Sequence, residues 1–466
     1  MAKSQTSKRD EEHELTRRAL IKWSLAAGAA LGVSRAGVIE ILEKTAGKGV
    51  AFAASEPITA RNIHMIWNNG GLAWTTLLFP HPDVALANNP QFAWHKPGLA
   101  TTVAGTKKPL VRGPDSPFST LSPARQMTAF VCGANETHSN VIQSTGSLAG
   151  NNLQGVISAL QSGAPSVVPV ITVGNTGYAP AAGSPTATAV TNADGIVNLF
   201  NSAASQAGGI LAASRDANLY KAHYDAFAQL NRAANRSTTK ASYVTASGAA
   251  GFLGTNLSAK LAITPADLTR YNITGNTRGN VAAIGRTLIV AVKAFKMGLT
   301  NSISTLAMGD DPHGAFNGGV GARDVDTVPA QLKGIFDAFM ADLVATTDDV
   351  TNRSLSDDFV MSWIGDTTKD SRAQGGWPDG TANNHNVMYV WGGSRLYTGW
   401  FGSLDRNGNV QGFDANGNAT AYNGQATARL AAASLAFAIA KGDERLIAPF
   451  ANGVKIGGVF GAPKDQ

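Results

Sequence analysis

At 466 residues the chain is about three times a typical domain of ~150 residues, long enough to bury a large core. Its 44% hydrophobic and 15% charged residues, with 51 glycines, exclude global disorder and a fibrous repeat. Nine Lys/Arg and six Asp/Glu lie in the first 54 residues, which leaves only half of the formal charge of +6 on the rest. No run of Lys and Arg interleaved with aromatics follows, so nucleic acid is not an expected partner. Cys132 is the only cysteine, which excludes an intrachain disulfide and a four-cysteine zinc site.

Near the N-terminus, Thr16-Arg17-Arg18-Ala19-Leu20-Ile21-Lys22 leads into an apolar stretch from Trp23 to Val33. Paired arginines ahead of a mildly hydrophobic segment read as a twin-arginine export signal, with small residues for cleavage at Ala51-Phe52-Ala53. The apolar stretch is shorter than the ~20 residues that span a bilayer, so no stable membrane span is expected after signal removal. Residues 1–54 are therefore expected to be the signal peptide and residues 55–466 a single α/β domain, located in the periplasm or outside the cell.

Short apolar runs that read as strands are Ile63-His64-Met65-Ile66-Trp67, Met127 to Val131, Ser166 to Val173, Ile303 to Met308 and Phe359 to Ile364. Helical periodicity, with apolar residues at three- and four-residue spacing, marks Asp216 to Ala233 and Ala330 to Thr346. Val281 to Phe295 and Ala426 to Lys441 also read as helices. Strands alternating with helices predict a central, mostly parallel sheet flanked by helices on both faces. Asp405-Arg406-Asn407-Gly408-Asn409 and Asp414-Ala415-Asn416-Gly417-Asn418 are near copies, read as two tight Asn-Gly turns, with calcium ligation by their oxygens as the other reading.

Chemistry concentrates where strands run out into polar loops. His138 stands in Asn135-Glu136-Thr137-His138, and His313 ends Asp310-Asp311-Pro312-His313 directly after a strand. Carboxylate and neutral imidazole together suit a divalent cation such as Zn, Mn or Fe, although a turn held by aspartate hydrogen bonds is equally consistent. His385 follows a long Gly-rich stretch from Gly365 to Gly380 that carries Asp366, Lys369, Asp370 and Asp379. Such a stretch in a compact domain reads as a functional loop, and Asp366 is a further oxygen ligand or acid/base candidate by position. Each of the three histidines also reads as an ordinary hydrogen-bonding loop residue. There is no Gly-x-Ser-x-Gly elbow, Walker loop or His-Glu-x-x-His helix, so serine hydrolases, NTPases and zincins lack support.

Taken in order, these pieces resemble an exported bacterial family called domain of unknown function 1501, related to the alkaline-phosphatase and sulfatase superfamily. The likeness spans nearly the whole mature chain. It rests on the twin-arginine start, Gly70-Gly71 then Leu77-Leu78-Phe79-Pro80, Thr137-His138, Asp311-Pro312-His313, Met361-Ser362-Trp363-Ile364-Gly365, Asn384-His385, Trp391-Gly392-Gly393 and Tyr397-Thr398-Gly399-Trp400-Phe401-Gly402. The resemblance implies an alkaline-phosphatase-like fold acting on phosphate or sulfate esters, of small molecules or polymers, with Asp311, His313 and His385 as ligands of a divalent metal (Zn, Mn, Fe or Ca). His138 and Asp366 fall to acid/base or supporting roles. Leu72 or Ala73, Trp363, Asp366 and Asn384 stand where the family carries charged or acidic groups, which argues against the usual two-metal site and leaves room for one metal at Asp311, His313 and His385. Those replacements, and the aromatics Trp391, Tyr397, Trp400 and Phe401, support the other expectation, a non-catalytic envelope protein that binds a partner or polymer on the same scaffold.

Overall fold

The computed structural model describes residues 59–162, 164, 166–201, 256–316, 324–455 and 457–459. The expected signal peptide and the expected helix Asp216 to Ala233 lie outside these residues. Contacts group the chain into two units. The first, Met1–Glu56, Pro165–Val167 and Asn201–Leu257, falls almost wholly outside the described residues. The second, Pro57–Ala164, Val168–Phe200 and Ser258–Gln466, contains the sheet and the helices that cover it.

In chain order its main elements are β1 (Arg61–Trp67), α1 (Ala73–Leu78), β2 (Thr128–Cys132), α2 (Leu153–Leu160), β3 (Val170–Val173), β4 (Thr188–Val190) and α3 (Gly279–Lys296). There follow β5 (Ser302–Leu306), α4 (Val328–Ala345), β6 (Phe359–Gly365), β7 (Asn386–Trp391), β8 (Gly399–Phe401) and α5 (Gly424–Ile439). The eight strands form one mixed sheet in the order β8-β2-β7-β6-β1-β5-β3-β4. Every neighbouring pair is parallel except those made by β7, which runs against both β6 and β2. The parallel reading of the sequence therefore holds for all strands but one.

The central strand β1 is buried along its whole length, Arg61 and His64 included. A strand covered on both faces must give every buried polar group a partner: Arg61 pairs with Asp348, and His64 Nδ1 meets the Ser362 hydroxyl. On one face Ile66, Phe130, Cys132, Val360, Ile364, Met388 and Val390 pack with α2 and α5. Alanines at 431, 432, 433, 436 and 438 let α5 approach the strands closely. On the other face Trp363 meets Phe336 of α4 at 4.7 Å and Phe79 at 5.8 Å, while Phe359 meets Phe339 at 5.5 Å and Phe295 of α3 at 6.0 Å.

Helix limits follow from local chemistry. Asn423 caps α5 by accepting from the Ala426 amide, and Pro329 occupies the first turn of α4, where its missing N–H costs nothing. The Asp405 and Asp414 segments are turns. Oδ1 of Asp405 accepts from the amides of Asn407 and Asn409, Oδ1 of Asp414 accepts from those of Asn416 and Asn418, and glycines 408 and 417 have φ of +84° and +75°. They join the three short strands Ser403–Leu404, Val410–Phe413 and Ala419–Ala421. Among the described residues no helix is long and apolar enough to cross a membrane.

Candidate metal centre

In the large sheet the ends of β1, β5 and β6 lie level, with Ile66 opposite Leu306 and Trp67 opposite Gly365. Cys132 at the end of β2 stands opposite Asn386 at the start of β7. Loops leaving this one edge therefore converge, the usual place for a site in an open α/β sheet. Four side chains meet there: His138 from the loop after β2, Asp311 and His313 from the loop after β5, and Asp379 from the loop after β6.

Their facing atoms form a small cage. Nε2 of His138 lies 3.2 Å from Asp311 Oδ2 and 3.4 Å from Asp379 Oδ2. Nε2 of His313 makes the same two approaches at 3.2 and 3.4 Å. All four ligand atoms fall within 4.8 Å of one another. Tetrahedral ligands each about 2.0–2.1 Å from zinc are separated by roughly 3.3–3.4 Å, so the four cross-distances fit one such ion. Nδ1 of His313 lies 2.8 Å from the Gly376 carbonyl, which fixes the hydrogen on Nδ1 and leaves the Nε2 lone pair facing the cage.

The surrounding loops are tied together by buried polar contacts. The Asn386 amide donates to the carbonyls of Ala134, Gly365 and Asp366, joining the β2 and β6 loops. Asn135 donates from Nδ2 to the Asp379 carbonyl at 2.5 Å. Glu136 accepts the amides of Gln143 and Ser144, closing the His138 loop on itself. Thr137 and His138 both have positive φ, +38° and +54°, a conformation these contacts must hold.

Lys369 completes the cluster. Its side chain is fully buried, and Nζ lies 2.6 Å from Asp311 Oδ1 and 3.0 Å from His313 Nε2, and also contacts Asp379 Oδ1. Burial pushes the Asp379 carboxyl up, but the Lys369 ammonium, with His313 and His138 nearby, outweighs this and holds it below the usual carboxylate range.

Of the expected ligands, Asp311 and His313 are in the cage and His385 is not. His385 is buried, its Nδ1 donates to the Ala382 carbonyl at 2.7 Å, and burial lowers its pKa. It lines a small cavity with His81, Ser371 and Trp400 instead. His138, expected in an acid/base or supporting role, is one of the four cage residues. Asp366, the other acid/base candidate, is fully buried and turned onto backbone: both oxygens accept from the Gly70 amide at 3.2 Å, and Oδ1 accepts from Thr367. Burial raises its pKa against the pull of these amides. It positions the β1 and β6 loops.

Asp379 and Lys369 lie in the Gly-rich loop, and the sequence alone assigns neither a role. The loop's length was the available signal, because neither residue has a metal-site spacing to its partners. Trp391, Trp400 and Phe401 are buried, so they offer no stacking face to a polymer. An open groove of about 500 Å³ borders the cage, lined among others by Trp74, Arg278, Asp310, Asp311, Asp324 and Gln331. No protein family, curated protein or solved structure matches the chain.

Proposed function

We propose that this is an exported metal-dependent hydrolase of phosphate or sulfate esters, a divergent relative of the alkaline-phosphatase and sulfatase superfamily and of the family called domain of unknown function 1501. The observation that carries the reading is the cage itself: two imidazole nitrogens and two carboxylate oxygens from three separate loops, at ligand-to-ligand distances suited to one ion. His138, Asp311, His313 and Asp379 would hold that ion. A dication there supplies Lewis-acid polarisation of an ester oxygen. Gly376 orients His313 for this role through Nδ1, and the Lys369 ammonium contacts the Oδ1 atoms of Asp311 and Asp379. The ester would approach through the groove beside Asp311, where Arg278 is held between Asp310 and Asp324. The twin-arginine signal would deliver the protein already folded, and so already loaded, to the periplasm or beyond.

The test is the metal content of the mature protein, purified after native export without chelator and measured by elemental mass spectrometry. About one equivalent of Zn, Mn, Fe or Ca is expected, falling at least tenfold in His313→Ala and His138→Ala and unchanged in His385→Ala. A ratio near zero that added metal does not raise would remove the reading. One observation favours a second reading, a non-catalytic binding protein on this scaffold. The hydroxyls nearest the first loop, Thr75 and Thr76, donate to carbonyls of their own helix, Leu72 and Ala73, and so are not poised as nucleophiles. Full metal occupancy without turnover in an ester screen would select that alternative.

A further inference from the structure

We propose that Lys369 is a built-in competitor for this site: a divalent ion binds His313 only by displacing the lysine ammonium from the same lone pair. The inference rests on the metal reading above. An ammonium has three N–H donors, and here each has one acceptor, Asp311 Oδ1, Asp379 Oδ1 and His313 Nε2. Because Nδ1 of His313 donates to Gly376, Nε2 has a single lone pair, and it cannot serve both N–H and metal.

The lysine is held where the competition occurs. Its side chain is 0% exposed, against 26% for Asp379 and 29% for Asp311, so water does not stand in for its partners. A place to retreat exists beside it. Lys369 also lines the small cavity that contains Ser371 and His385, and the Ser371 hydroxyl is buried with no hydrogen-bond partner. Shifting the ammonium toward Ser371 would free Nε2 while leaving the carboxylate contacts on one side. The outer oxygens of both aspartates are the ones that Lys369 occupies, which also limits the cage to one ion.

The experiment compares the exported mature protein with Lys369→Met, Lys369→Gln and Ser371→Ala. Each is stripped with chelator, titrated with zinc chloride by calorimetry, and melted with and without zinc. Removing the ammonium is expected to tighten zinc binding at least tenfold in both lysine variants, while lowering the melting temperature of the stripped protein. A lysine with a merely structural role would lower both. Ser371→Ala, which keeps the lysine and its contacts, is expected to weaken zinc several-fold by removing the place of retreat. Unchanged or weaker zinc binding in folded Lys369→Met and Lys369→Gln would overturn the proposal and leave the metal site standing if the parent protein binds. Ser371→Ala binding zinc as the parent does would overturn the retreat toward Ser371. No zinc binding by any folded form would overturn the metal reading and this proposal with it.

Discussion

A single missing side chain at Gly70 shapes the cage from behind. Its φ is +81°, and a Cβ there would stand 3.0 Å from Asp311 Oδ1 and 3.1 Å from Asp311 Cβ and Cγ. Alanine at this position is opposed twice, by the left-handed backbone and by a carboxylate that cannot move without leaving the other ligands. Gly70→Ala is expected to lower stability by about 1–2 kcal/mol from the backbone alone. It should also weaken metal binding by about tenfold or more as Asp311 is pushed off its position, equivalent to ~1.4 kcal/mol. Urea unfolding and a zinc titration separate the two effects, and an unchanged zinc affinity would show that Gly70 does not set the carboxylate. At this scale Asp311 and His313 were legible, since two acids and an imidazole directly after an apolar run must leave a strand end together. His385 looked equivalent in the sequence, but Ala382 captures its Nδ1 and burial closes over the ring. Asp379 had no such local mark: contacts from distant residues hold it in the cage, Asn135 on its backbone carbonyl and Lys369 on its carboxylate.

Among the elements, the one strand that runs against the rest is explained by its connection. Between Gly365 and Asn386 the chain forms no helix beyond a single 3-10 turn at Ala382–Asn384, so it never crosses back over the sheet. The next strand must start from the edge where the last one ended, and it pairs antiparallel. Its residues, Asn-Val-Met-Tyr-Val-Trp, are buried on both faces and would read the same in either direction, so its sense could not be taken from the pattern. The same connection places the Gly-rich loop over the site. Asn386, at the hinge between loop and strand, is fully buried and donates to three carbonyls from two loops, and its Oδ1 accepts from Val387. Asn386→Ala leaves these acceptors short of a donor and is expected to destabilise the protein by about 2–4 kcal/mol. Metal affinity should fall with it, because the His138 and Asp379 loops lose their common tie. A denaturation midpoint within error of the parent would refute the role given to this side chain.

Over the whole molecule, burial of polar groups in the sheet makes stability depend on pH in a defined window. His64 sits at the centre of β1, fully buried, with Nδ1 2.6 Å from Ser362 Oγ and Nε2 without a partner. Burial drives its pKa from 6.5 down to about 3. His81 is lowered to about 3 chiefly by burial, and His385 is lowered for the same reason. The folded protein thus keeps these rings neutral while the unfolded chain protonates them below pH 6.5, so unfolding takes up protons and acid favours it. For His64 and His81 the stabilising effect is complete above pH 6.5 and declines as pH falls toward 3, by about 1.4 kcal/mol per pH unit for each ring. Asp366, whose pKa is raised by burial, works in the opposite sense, its contribution present in acid and lost as pH rises through its raised folded value. The buried ion-paired Asp358 has a lowered pKa, so its contribution is lost only below the ordinary carboxylate range. Between pH 6.5 and about 4.5 the histidines therefore dominate. Urea unfolding in chelator at pH 7 and pH 5.5 is expected to differ by about 2.5 kcal/mol, the sum for His64 and His81. His64→Met should reduce that difference by close to half. A flat profile across this range would mean that these rings are hydrated in the folded protein, and that the sheet is less tightly closed around β1 than its burial implies.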